Sequence, residues 1–162
     1  MKKRLLSLLL LLCLAVGGAI AEVWVEGDVA ITDELLVEYG QWYSAPDEVA
    51  LYLHAFEELP ENYLTKSEAR SLGWDSASGN LWVVAPGMSI GGDRFGNREG
   101  LLPDARSRQW YECDVNYEGG YRGAERLLFS NDGLIYYSGD HYQNFELLYD
   151  GWYWADGWYL WD

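Results

Sequence analysis

Along residues 46–60, "PDEVALYLHAFEELP", Val49, Leu51, Leu53 and Phe56 sit with apolar neighbours at roughly helical spacing. Ser44 or Pro46 starts this element and Pro60 stops it, which predicts a first helix. In "LTKSEARSLGW", Thr65 and Glu68 have the spacing of a capping box, in which each side chain satisfies an amide at the helix start, and Gly73 supplies a stop. A short second helix is predicted there. The glycine-rich run "APGMSIGGDRFGNREGLLP" reads as turns and loops. Beyond it, "RQWYECDVNY", "AERLLFSN", "GLIYYSG" and "YQNFELLYDG" are rich in aromatic and branched residues, punctuated by Gly, Asn and Asp, and read as strands. Helices first and strands after predict an α+β fold, with N-terminal helices packed on one face of a twisted antiparallel sheet.

Alternation then assigns faces. In "WYECDVNY", Trp110, Glu112, Asp114 and Asn116 point one way, and Tyr111, Cys113, Val115 and Tyr117 the other. Cys113 and Val115 belong to the core. Glu112 and Asp114 are expected on the opposite, solvent-accessible face, next to the strand that carries Arg126.

The two ends of the chain have their own patterns. Residues 1–21, "MKKRLLSLLLLLCLAVGGAIA", combine a basic start, a leucine-rich run and an A-x-A site, which predicts a secretory signal cleaved after Ala21. The apolar run is broken by Gly17-Gly18 and is short for a bilayer span, so no stable membrane association is expected. Residues 22–45 are acidic and mixed in pattern, and read as a propeptide or an added strand and helix. Residues 46–149 form the main domain. In residues 150–162 the near-repeat DGWYWA, DGWYLW reads as an added strand or hairpin whose aromatics cover the sheet or the N-terminal extension. Two other readings stay open: an aromatic platform for glycan or bases, and an acidic cover over a cleft.

Charge narrows the chemistry. The formal net charge of -15 becomes -18 once Lys2, Lys3 and Arg4 leave with the signal, which on charge alone argues against a polyanionic partner. Cys113 is then the sole cysteine, so no intrachain disulfide forms. The remaining cations are one lysine, Lys66, and Arg70, Arg94, Arg98, Arg106, Arg108, Arg122 and Arg126. Taken singly, most such arginines make surface ion pairs of small value. Of the two histidines, His54 on the first helix reads as structural, and His141 sits at a strand end between Asp140 and Tyr142.

The run "LPENYLTKSEARSLGW", followed by "VAPGMSIGGDRFGNREGLLP", "WYECDVNYEGGYRGAERLLFSNDGLIY" and "DHYQNF" in order, resembles the barnase-like family of secreted, guanyl-preferring bacterial ribonucleases, from about Gly40 to Tyr149. The resemblance implies the microbial ribonuclease fold and cleavage of single-stranded RNA without metal or other cofactor. By position in the motifs, it implies Glu112 as general base and His141 as general acid, with Lys66, Arg122 and Arg126 stabilising the negative charge of the transition state. It further implies that Tyr142 contacts phosphate and that Asp114 orients the two arginines. The loop "FGNREG" resembles the family's guanine site: Glu99 takes the N1-H and N2-H donors, while backbone around Phe95, Asn97 and Arg98 meets O6 and N7. A barstar-type protein inhibitor is implied as a partner, and a monomeric enzyme. A noncatalytic binding protein on the same scaffold is the alternative, supported by the acidity and the tail.

Leu101 stands where the family has a lysine, Gly133 where it has a tryptophan and Gly96 where it has a serine. None of these is a proton carrier. The acidity is the larger departure, and it predicts poor long-range steering of RNA.

Overall fold

The computed structural model describes residues 23–151. The signal segment and all of the aromatic tail beyond Gly151 lie outside the described residues.

Three short strands open the chain: β1 (Trp24–Glu26), β2 (Val29–Ile31) and β3 (Leu36–Glu38), joined as an antiparallel sheet. Of the strand and helix read over residues 22–45, strands are present and the helix is not: residues 23–44 hold three strands and no helix. Helix α1 (Pro46–Phe56) follows, with Pro46 at its first turn, Asp47 and Glu48 beside its N-terminus, and Glu57 in the left-handed conformation closing it before Pro60. Then come β4 (Tyr63–Leu64), α2 (Lys66–Ser71), α3 (Leu81–Val84), β5 (Ser89–Phe95), β6 (Trp110–Asp114), β7 (Arg126–Ser130), β8 (Leu134–Ser138) and β9 (Glu146–Asp150). Strands β4 to β9 form a six-stranded sheet in chain order, antiparallel throughout except for the short parallel pair β4–β5.

Helix α1 lies between the two sheets. Val49, Ala50 and Leu53 pack with Cys113, Leu127 and Ile135 of the large sheet and with Val115 just past β6. Leu51 and Tyr52 pack with Ala30 and Val37 of the small one. A helix covered on two sides has no polar stripe in its middle, which is why residues 49–53 are all buried. Helix α2 carries the expected capping box, with Thr65 and Glu68 bonded reciprocally. It packs with α3 in a second cluster of Ala69, Trp74, Leu81, Ala85, Ile90 and Tyr117. Among the described residues no helix is long and apolar enough to cross a membrane.

The expectation of a loop over residues 85–103 is corrected at β5. Gly91 sits in the strand for lack of room and not to make a turn: a Cβ there would lie 2.5 Å from Cys113 Cβ and 2.7 Å from the Tyr63 ring. The register then shifts between Gly91 and Asp93, and this bulge sets Asp93 opposite Glu112. Local composition reads as turn here, whereas strand pairing on both sides decides the outcome.

Candidate active site

Strand β6 carries two carboxylates two residues apart, and each meets its own cations. Glu112 Oε1 accepts from Lys66 Nζ at 2.5 Å, and its Oε2 accepts from the Tyr142 hydroxyl at 2.5 Å. Lys66 opens α2, whose first backbone N-H donates to Asp93 Oδ2 at 2.8 Å, so the bulge in β5 fixes where the lysine starts. Asp114 takes a two-pronged contact from Arg122, Nε and Nη2 both at 2.6 Å, and lies 3.0 Å from Arg126 Nε. Arg126 is its cross-strand neighbour on β7.

These carboxylates are not solvent-accessible as alternation predicted. Glu112 is 7% exposed and Asp114 2%. Their face of the sheet is covered too, by Leu102, Trp110 and Leu128 packed with Phe95, Tyr136, Tyr142 and Phe145. Alternation identifies which residues share a face but is blind to what a long loop lays over it.

Burial pushes the Glu112 carboxyl up, yet the hydrogen bonds from Lys66 and Tyr142, with the charges of Lys66 and Arg122, outweigh it and leave the group below its ordinary value. Glu112 is therefore an ionised carboxylate across the neutral range. Tyr142 is moved to about 12 by burial and by its bond to that carboxylate, so it remains a neutral donor. For Arg122, burial is the largest influence and disfavours the charge, but its bonds to Asp114 reverse the balance and raise the guanidinium above its usual value.

His141 lies in the turn between β8 and β9, exposed, with its ring 4.9 Å from that of Tyr142. Both residues have positive φ, 58° and 70°. The turn is held by a residue the sequence reading did not single out: Asp140 Oδ1 accepts from the backbone N-H groups of Gln143 and Asn144, and the Ser138 hydroxyl receives the Tyr142 N-H. The bonds from Asn144, side chain first, hold Asp140 below its ordinary value. An acid two residues after a serine in "SGDHYQNF" is the signal that marks such a turn. Asp93 was missed as well, since its place in the site depends on the bulge.

Beside the carboxylate cluster opens a cavity of about 500 Å³, lined among others by Phe95, Asn97, Arg98, Glu99, Leu101 and Tyr142. The loop beneath it is closed by Asn97, whose side chain pairs with both backbone groups of Leu102, at 2.9 and 3.1 Å. Asn97 is thus available to a ligand through its backbone. Phe95 and Tyr142 stack at 5.3 Å, so Tyr142 joins the cavity to Glu112. The structure brings the candidate site residues named from the sequence to this one region: Lys66, Glu112, Asp114, Arg122, Arg126 and Tyr142 as a bonded network, His141 against Tyr142, and the loop residues around the cavity. His54 stands apart, stacked on Tyr149 at 4.3 Å. Chemically, the network offers Glu112 as an ionised proton acceptor, several cations for an anion, and an imidazole at its rim.

A family model described as ribonuclease matches residues 47–149. A ribonuclease of Heyndrickxia coagulans is 57% identical over 99 residues, covering 61% of this chain and 91% of that protein. A ribonuclease of Bacillus intermedius is 57% identical over 99 residues, or 61% of each chain, so the match spans less than two thirds of that relative. The guanyl-specific ribonuclease St of Saccharopolyspora erythraea is 40% identical over 57 residues, covering 35% of this chain and 56% of that protein. Strands β1 to β3 precede the family match.

Proposed function

The chain belongs to the ribonuclease family, and from that premise we propose that it is a secreted, metal-independent endoribonuclease that cuts single-stranded RNA after guanosine. Glu112 takes the proton from the ribose 2′-OH, and the oxygen attacks the adjacent phosphorus. His141 protonates the departing 5′-oxygen, leaving a 2′,3′-cyclic phosphate. Hydrolysis of that phosphate uses the two groups in exchanged roles. The observation that carries the reading is the Glu112 carboxylate itself: ionised, buried, and gripped by Lys66 and Tyr142 with Arg122 and Arg126 close by.

The cations act on the charge that develops on the phosphoryl oxygens. Arg122 and Arg126 are held through Asp114, so they need little reorganisation as that charge grows, and fixed charge in a site sheltered from water stabilises a transition state more than a ground state. Phosphate displaces some of the present partners: Lys66 and Tyr142 are bonded to Glu112 in the free protein, and substrate shares them. The cavity takes the base, with Glu99 accepting from its N1-H and N2-H and the Phe95 ring at its wall. The same cleft is where a barstar-type inhibitor docks on the monomeric enzyme.

Purified residues 22–162, assayed on single-stranded RNA in EDTA, are expected to cut after guanosine and to leave cyclic phosphate ends. Glu99→Gln removes the charged acceptor and is expected to lower kcat/KM for guanosine sites by about 10- to 100-fold, in line with hydrogen bonds to a charged group. Sites after other bases should be little changed. An inactive parent protein would assign the scaffold to binding instead.

Lys66→Met is expected to shift the acidic limb of the pH profile of kcat/KM towards neutral pH. Lys66 is among the groups that hold Glu112 low, whereas burial acts the other way. With the lysine gone the upward influence gains, so the base protonates at higher pH. An unmoved limb would show that the limb belongs to another group.

A further inference from the structure

The small N-terminal sheet has one face on α1 and the other open. Its inner row is Val25, Ala30 and Val37, paired across the strands and packed with Leu51 and Tyr52. Its outer face carries a second row in register, Trp24, Ile31 and Leu36, which are 63%, 41% and 50% exposed. The next outward row is Glu26, Val29 and Glu38. Single exposed apolar residues are ordinary, but three side by side across three strands make a contact surface.

We propose that this row is covered by residues 152–162 of the same chain. That segment holds Trp152, Trp154, Trp158 and Trp161 with Tyr153, Tyr159 and Leu160, and its only charged side chains are Asp156 and Asp162. It leaves the described fold next to α1: the Gly151 carbonyl is bonded to His54 Nδ1 at 2.7 Å, and His54 lies in the last turn of the helix. The small sheet lies against the same helix. From Gly151 to the outer row the chain has to pass a helix roughly 10 Å wide and one sheet layer of about 10 Å. The segment from 152 to 162, fully extended, reaches about 36 Å.

The tether favours this occupant over others. A second copy brings the same Glu26 and Glu38 and the same net negative charge, which opposes the approach. A separate basic partner suits the carboxylate row but must be supplied from solution, whereas a tethered segment is present at an effective concentration in the millimolar range.

A thermodynamic cycle tests the contact. Residues 22–162 are compared with the Leu36→Ala protein, the chain ending at Gly151, and the two changes combined. Leu36→Ala is expected to lower Tm by about 3 °C in the full chain and by less than about 1 °C in the shortened one, because the partner has gone. Equal effects in both backgrounds, or none in either, would overturn the proposal. So would a dimer in sedimentation that Leu36→Ala dissolves, which assigns the row to a second copy. A shortened chain that melts unchanged and cuts RNA faster would place the segment over the cleft and also overturn it. Should Leu36→Ala fail to fold, Ile31→Thr, which keeps a strand-favouring branched residue, is read in the same cycle.

Discussion

Glu112→Gln and His141→Asn proteins are each expected to cleave RNA at least about 100-fold more slowly than the parent while remaining folded. The magnitude follows from general acid-base catalysis, where one positioned proton carrier contributes roughly 10²- to 10⁴-fold. The choice of replacements follows from the structure. Glutamine keeps the volume of a side chain that is 7% exposed and can still accept from Lys66, but it takes up no proton at neutral pH. At His141 the backbone has φ 58°, a conformation that asparagine adopts more readily than alanine does, so asparagine removes the acid without adding backbone strain. The check is single-turnover cleavage of a guanosine-containing oligonucleotide, with circular dichroism to confirm folding. A folded Glu112→Gln protein with parental rate would remove Glu112 from the base role, and the same outcome for His141→Asn would require another acid.

Asp114→Asn is expected to be the most destabilising single change in the site, and to lower activity as well. The carboxylate is 2% exposed and Arg126 3%, and Arg122 depends on the same two oxygens. Removing the anion leaves a buried guanidinium with neutral acceptors alone: the new amide oxygen, the Gly123 and Glu125 carbonyls and the Tyr142 hydroxyl. Taking away one partner of a buried ion pair costs about 3–5 kcal/mol, which for a domain of this size corresponds to a Tm fall of about 10 °C or more. Thermal melting reads the first effect. The second is read well below the new Tm, where kcat is expected to fall because the arginines have lost the anion that aims them. Full kcat in a destabilised protein would make Asp114 a purely structural residue.

Much of the large sheet is legible in the chain itself. The segments around Trp110, Arg126, Leu134 and Glu146 carry branched and aromatic residues between turn formers, and each is a strand. The capping box at Thr65 is equally local, since its two partners are three residues apart. The errors fall where distance along the chain is long. Strand β5 reads as loop because glycines are turn formers, and its pairing depends on Cys113 and Tyr63, neither of them near in sequence. The small sheet is only faintly legible for a related reason: β1, β2 and β3 are three residues each, too short for alternation to rise above a mixed acidic composition.

The candidate site divides in the same way. That Glu112 and Asp114 share a face, and that Asp140 and Tyr142 flank His141, follows from sequence order and the two-residue period of a strand. Chain order also carries the family motifs, and with them the expected roles. Tertiary structure alone decided that the shared face is buried, that Lys66 and Tyr142 grip Glu112, and that Asp93 anchors the start of α2. Local pattern records the direction in which a side chain leaves the backbone. Its charge state and its partners are set by groups brought from tens of residues away, through desolvation and Coulomb interactions that no window of sequence contains.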